Sequence, residues 1–181
     1  MKEDLVSLTK VLKNSSQVVR NDWCKQLLYK LNIIHNSFKN VHCSICLDNL
    51  KVDRNNQLVL VNVSEKPHVN LNVQDVGRFK APELISSSSR SKAGDVWAAG
   101  ICIFYINNLF YPWEAAVDSD EKYCLWANKS IFPSSVNFFY SEAVKQMLCV
   151  KPESRPNISK VIKLTSSFGL DADDLSKLFL F

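Results

Sequence analysis

The stretch from Ser91 to Trp113, SKAGDVWAAGICIFYINNLFYPW, limits the fold more than any other part of the chain. It runs eleven residues, Val96 to Ile106, without a charge, carries Asp95 at its front edge and closes on Asn107, Asn108 and Pro112. A helix apolar on every side must be wrapped by protein or lipid. Crossing a bilayer takes roughly 20 apolar residues, so the run is too short, and protein is the expected wrapping. Asp95 has two open readings. It is either a plain N-terminal cap, favoured by the helix dipole and free N–H groups, or an acid that reaches out to brace a neighbouring loop.

Patterns on either side supply what such a helix would be buried against. Leu5, Leu8, Val11 and Leu12 predict a short helix over Glu3 to Lys13, and Asn21 is placed to cap a longer one. The stripe Trp23, Leu27, Leu31, Ile34 and Phe38 predicts that this second helix docks along its length. Gln57 to Val63 reads as a strand that pairs with Leu50 to Val52 across the turn Asp53 to Asn56. Further helices are predicted over Asp120 to Lys129, Tyr140 to Val150, Ile158 to Phe168 and Ala172 to Phe179. No repeat or long linker marks a second domain, so the expectation is one domain over 1–181, with 170–181 as a helical extension.

Composition narrows the function classes. Of the 181 residues, 22 are Lys or Arg and 18 are Asp or Glu, giving a net charge of +4 with no basic block, which argues against nucleic acid. The start, MKEDLVSLTK, has no apolar core of a signal peptide, and the six cysteines then read as reduced thiols. A cytoplasmic or nuclear location and no membrane contact are expected.

The order of landmarks resembles the C-terminal lobe of a eukaryotic protein kinase. They are Val41-His42 followed by Asn49, a small hairpin, Ala81-Pro82-Glu83, Asp95-Val96-Trp97-x-x-Gly100, Pro112-Trp113 and Arg155-Pro156. Tyr111 to Ala116, with Ser119-Asp120 and Trp126, looks most like the Src-homology-3-binding-domain serine/threonine kinases. The resemblance covers residues 3–165. It implies a mainly α fold, a helical bundle around a buried central helix with a small β-hairpin and no N-terminal lobe. It also implies structural roles for His42, Glu83, Asp95, Trp97 and Arg155. Asp95 would hold the backbone of the catalytic loop, and Glu83 would pair with Arg155 in a buried ion pair.

The same resemblance finds the chemistry altered. Where the family has His-Arg-Asp-x-Lys-x-x-Asn, this chain has His42-Cys43-Ser44-Ile45-Cys46-Leu47-Asp48-Asn49. Ser44 stands for the proton-accepting Asp and Cys46 for the phosphate-neutralising Lys, while Asn49, a magnesium ligand in the family, is kept. Asn62-Val63-Ser64 replaces Asp-Phe-Gly, putting an amide where the metal-gripping acid belongs. A general base is worth about 10²- to 10⁴-fold in rate. The resulting expectations are a pseudokinase that is not an enzyme, no cofactor, and no ATP binding. Its function would be binding, with a protein kinase or a kinase substrate as partner and an apolar top face over the first helix and Leu58 to Val63 as the contact. The alternative is a residual serine/threonine kinase or ATP-binding module. His42-Cys43-x-x-Cys46 also raises zinc or thiol chemistry, but no second ligand pair accompanies it. The run Ser86 to Ser89 beside Arg90 and Lys92 reads as a solvated loop or a phosphorylation target.

Overall fold

A computed structural model describes residues 5–61, 77–85, 87, 89–133 and 138–166. The predicted helix over Ala172 to Phe179, the extension 170–181, Asn62 and two residues of the serine run, Ser86 and Ser88, lie outside the described residues. What is described is mostly helical, with one small antiparallel sheet.

The central helix, α3 (Lys92–Asn108), buries twelve residues, and Trp97, Ala99, Ile101, Cys102, Ile103, Phe104 and Ile106 are fully shut from solvent. Around it stand α1 (Leu8–Leu12), α2 (Gln17–Asn32), α4 (Glu121–Lys129), α5 (Ser141–Met147) and α6 (Ile158–Ser166). Its N-cap is Ser91, whose hydroxyl accepts the Gly94 N–H at 2.9 Å. Asp95 is thereby released from capping. At the other end Leu109 takes the left-handed conformation, φ 63°, and returns its N–H to the Tyr105 carbonyl. Gly100 lets α5 come close: a Cβ there would meet Met147 and Leu148 at 3.1 Å. Any larger side chain would force the two helices apart or make Met147 and Leu148 shift.

The start of the chain differs from expectation. Val6–Ser7 form a strand, β1, which pairs antiparallel with β2 (Leu50–Val52), and the first helix begins only at Leu8. The hairpin forms as predicted: β2 pairs with β3 (Leu58–Leu60), with Leu50 opposite Leu60 and Val52 opposite Leu58. In its turn, the Asp53 carboxylate accepts the N–H groups of Asn55 and Gln57, both at 2.8 Å. The expected apolar top face also differs, because Leu8, Leu12 and Leu58 are buried in the core rather than presented to solvent. Once β1 completes a third strand, α1 folds its leucines inward.

The stripe on α2 holds for Trp23, Leu27 and Leu31 and then breaks. Ile33–Ser37 form a π-helical turn, Phe38 is 71% exposed and His35 is buried. A π-turn inserts an extra residue into the helical register and rotates everything after it. That rotation swings Phe38 out and brings His35 in. No helix among the described residues is long and apolar enough to cross a membrane.

A braced loop as the candidate functional site

The loop His42 to Asn49 hangs from the start of α3. Both oxygens of Asp95 point at it: Oδ2 accepts the N–H of His42 at 2.7 Å and Oδ1 accepts the N–H of Cys43 at 2.8 Å. Of the two readings open in the sequence, the structure selects the brace. Oδ2 also meets His35 Nε2 at 2.9 Å, and both side chains are buried. The Lys92 ammonium donates to the His35 carbonyl, which ties the π-turn to the first turn of α3. A buried carboxylate needs partners to remain charged, and Asp95 has three. Sequence periodicity missed His35. The only signal would have been a polar residue placed seven before His42, and that signal carries no phase once a π-turn intervenes.

Within the loop, Cys43 sits at φ 65°, a left-handed conformation that non-glycine residues adopt at a cost. The Asp95 hydrogen bond is what holds it there. His42 is buried; its Nδ1 accepts the Ser44 N–H at 3.2 Å, and its Nε2 has no partner among the described residues. Burial pushes the His42 pKa down, with the Asp95 charge opposing and His35 adding to the fall. Asn49 is buried and donates from Nδ2 to the Ser44 carbonyl at 2.7 Å, closing the loop on itself.

The chemistry-bearing positions are therefore gathered but neutral. Ser44 and Cys46 are buried, and Asp48 next to them is exposed. A hard dication competes for carboxylate oxygens, and Ser44, Cys46 and Asn49 offer none, so this trio does not fit a magnesium site by itself. Nor does the His42, Cys43 and Cys46 cluster assemble zinc ligands: no group of three or more His, Cys, Asp or Glu side chains suited to a metal occurs among the described residues. Burial, joined by the Asp95 carboxylate and opposed by Arg90, pushes the Cys43 thiol up to about 11. A thiol with that pKa is protonated near neutral pH and is a poor nucleophile.

The second anchor lies beside the first. Arg155 Nη1 and Nη2 clasp Glu83 Oε1 and Oε2 at 2.8 and 3.1 Å. Its remaining donors go to the carbonyls of Ala93, Cys149 and Val150, so all five guanidinium N–H groups are used. The Arg155 side chain is fully buried and its guanidinium lies 5.0 Å over the ring of Trp97, which in turn meets Trp113 at 5.6 Å. This fixes the Pro82–Leu84 turn against the N-terminal end of α3. Asp120 performs a smaller version of the same task. It caps α4 through the Tyr123 N–H at 3.1 Å and holds the preceding loop through the Glu114 and Ala115 N–H groups at 2.8 and 3.3 Å.

With the geometry in place, comparison with known proteins adds the kinship. A model of the protein kinase domain matches residues 1–165. The chain is 28% identical over 102 residues to mitogen-activated protein kinase kinase kinase 18 of Arabidopsis thaliana, a match covering 54% of this chain and 30% of that protein. It is 25% identical over 156 residues to serine/threonine-protein kinase Nek4 of Mus musculus, covering 82% of this chain and 19% of that protein. The chain thus spans about a third or less of these relatives' lengths. This finding corrects the expectation, built on Ser44, Cys46 and Asn62, that the protein is not an enzyme: the match is to the protein kinase domain, and the relatives are kinases. The physical reason is one of scale. Losing a general base lowers a rate by about 10²- to 10⁴-fold, which changes how fast a reaction goes and not the class of protein that carries it out.

Proposed function

The chain belongs to the protein kinase domain family, and from that premise we propose that it works as the substrate-side lobe of a serine/threonine protein kinase. It engages a protein partner, a kinase or a kinase substrate, at the face carrying the His42 to Asn49 loop and the Pro82–Leu84 turn, and regulates that partner by holding it. One observation carries the reading: both oxygens of Asp95 accept loop N–H groups, so a binding loop is fixed before any partner arrives. A preorganised loop binds without the cost of being ordered on contact. Within the family, Tyr111 to Ala116 with Asp120 and Trp126 supports a position nearest the Src-homology-3-binding-domain kinases.

The experiment is affinity capture by the tagged full chain from its source cells, run beside Asp95→Asn. Recovery of a kinase or a kinase substrate by the parent chain, and a clear loss of it with Asp95→Asn, supports the reading. Equal recovery by both, or recovery of nothing specific, overturns it. A second reading, phosphoryl transfer by this chain itself, is favoured by its kinship with serine/threonine kinases. Its test is transfer of labelled phosphate from magnesium-ATP to casein.

A further inference from the structure

Neither reading of the loop site uses the serines that follow the Pro82–Leu84 turn. Ser87 and Ser89 lie outside any helix or strand, and Ser91 caps α3. Their hydroxyls are not equivalent. Ser91 is half-buried and accepts the Gly94 N–H at 2.9 Å. Ser87, also half-buried, accepts the Ser89 N–H at 2.9 Å and donates to the Ser89 Oγ at 2.8 Å. Ser89 is exposed, and no acceptor among the described residues takes its hydroxyl proton. Of the three, it is the one whose oxygen can be reached and whose proton is unspent.

The charge along this stretch has one sign. Arg90 and Lys92 follow Ser89 and are both exposed. Lys92 donates to the backbone carbonyl of His35, a neutral partner that leaves its charge in place. The Arg90 charge reaches as far as Cys43 of the braced loop, where it opposes the rise of the thiol pKa. No Asp or Glu occurs between residues 84 and 94. The acids on either side are engaged, Glu83 by Arg155 and Asp95 by His35 and the loop N–H groups. An exposed hydroxyl on irregular chain, followed by two cations, suits the arrival of a phosphoryl group and its retention afterwards.

We propose that Ser89 is a phosphorylation site for a separate serine/threonine kinase directed by basic residues after its target. The Ser89 Oγ attacks the γ-phosphorus of magnesium-ATP, its proton passes to the base of that kinase, and the β–γ bridge breaks to release ADP. The phosphate then stands beside Arg90 and Lys92, whose N–H groups hold it at the entrance of α3. The proposal is independent of what binds the braced loop.

The test treats the full chain with the catalytic fragment of protein kinase C and labelled magnesium-ATP, subtracts the label taken up without added kinase, and maps the labelled residue by peptide mass. The expected result is label at Ser89 that disappears in Ser89→Ala. Its rate of entry should fall at least about tenfold in Arg90→Gln joined to Lys92→Gln. Arg90→Gln alone keeps the test valid if loss of the Lys92 tie to His35 loosens the fold, and a smaller fall is then expected. No label, label that persists in Ser89→Ala, or label at Ser89 indifferent to these charge changes overturns the proposal. The phosphorylated chain should also melt higher than the parent, with the gain shrinking in ~1 M sodium chloride as the charges are screened. An unchanged or lower melting temperature overturns the part of the proposal in which Arg90 and Lys92 hold the phosphate.

Discussion

Two regions a few residues apart have been treated differently by this sequence. The anchors keep every charge: Asp95 with three partners and Arg155 with all five donors engaged, against a carboxylate with both oxygens used. The loop they hold carries the neutral Ser44 and Cys46, at positions where the resemblance to kinases leads one to expect charges. A buried charge that loses its partner threatens the fold, whereas a neutral side chain on a loop alters only what the loop can do. Charge thus stands where it supports the backbone and is absent from Ser44 and Cys46 of the loop.

The sharpest test of that contrast is at the loop. Ser44→Asp puts a carboxylate where the resemblance places the general base, and on the phosphoryl-transfer reading the expected outcome is a rise of about 10²- to 10⁴-fold in phosphate transfer to casein from magnesium-ATP. An unchanged rate would mean that Ser44 is not the limiting position. At the anchor, Arg155→Met strands Glu83 and is expected to cost about 3 to 5 kcal/mol in chemical denaturation, with Glu83→Gln on top recovering part of the loss. If Arg155→Met costs under about 1 kcal/mol, the anchor does not hold the fold.

How much of this was legible in the sequence depended on whether a residue acts through spacing or through phase. Glu83, Asp95 and Arg155 stood in recognisable motifs, and the structure places them in two anchors at the N-terminal end of α3, Asp95 holding the loop and Arg155 clasping Glu83. His35 was invisible, because an amphipathic reading assumes 3.6 residues per turn and the π-turn at Ile33–Ser37 breaks that assumption. Strand β1 was missed because two residues carry no period, and their pairing with Lys51 and Val52 is a tertiary fact. Asp95 could be read either as a cap or as a brace until the Ser91 hydroxyl was seen to occupy the cap.

Smaller effects sharpen the picture. Asp120→Ala removes a cap and two loop contacts and is expected to cost about 1 kcal/mol, moderated by its solvent exposure. Although burial works against it, the N–H groups of Tyr123, Glu114, Ala115 and Lys122 bring the Asp120 pKa below 3.8. Its contribution is then complete above the unfolded pKa near 3.8 and lost as pH falls through the lower folded value, so parent and Asp120→Ala melting temperatures should converge in strong acid. His42 works through the opposite charge type. Its folded pKa lies below 6.5, so below that pH the unfolded chain binds more protons and stability falls. The melting temperature should drop between pH 7 and 5 by less in His42→Asn than in the parent. An identical drop would assign the pH dependence to other groups.

The most direct measurement is amide exchange at His42 and Cys43 in the full chain, parent against Asp95→Asn. The N–H groups of His42 and Cys43 go to different oxygens of Asp95, so in Asp95→Asn one of them faces the amide NH2, a donor, and loses its partner. The account predicts that one or both amides exchange at least about tenfold faster in Asp95→Asn while Leu109, at the far end of α3, keeps its rate. Unchanged rates at both His42 and Cys43 would contradict it, because the loop would then be held by something other than the Asp95 carboxylate.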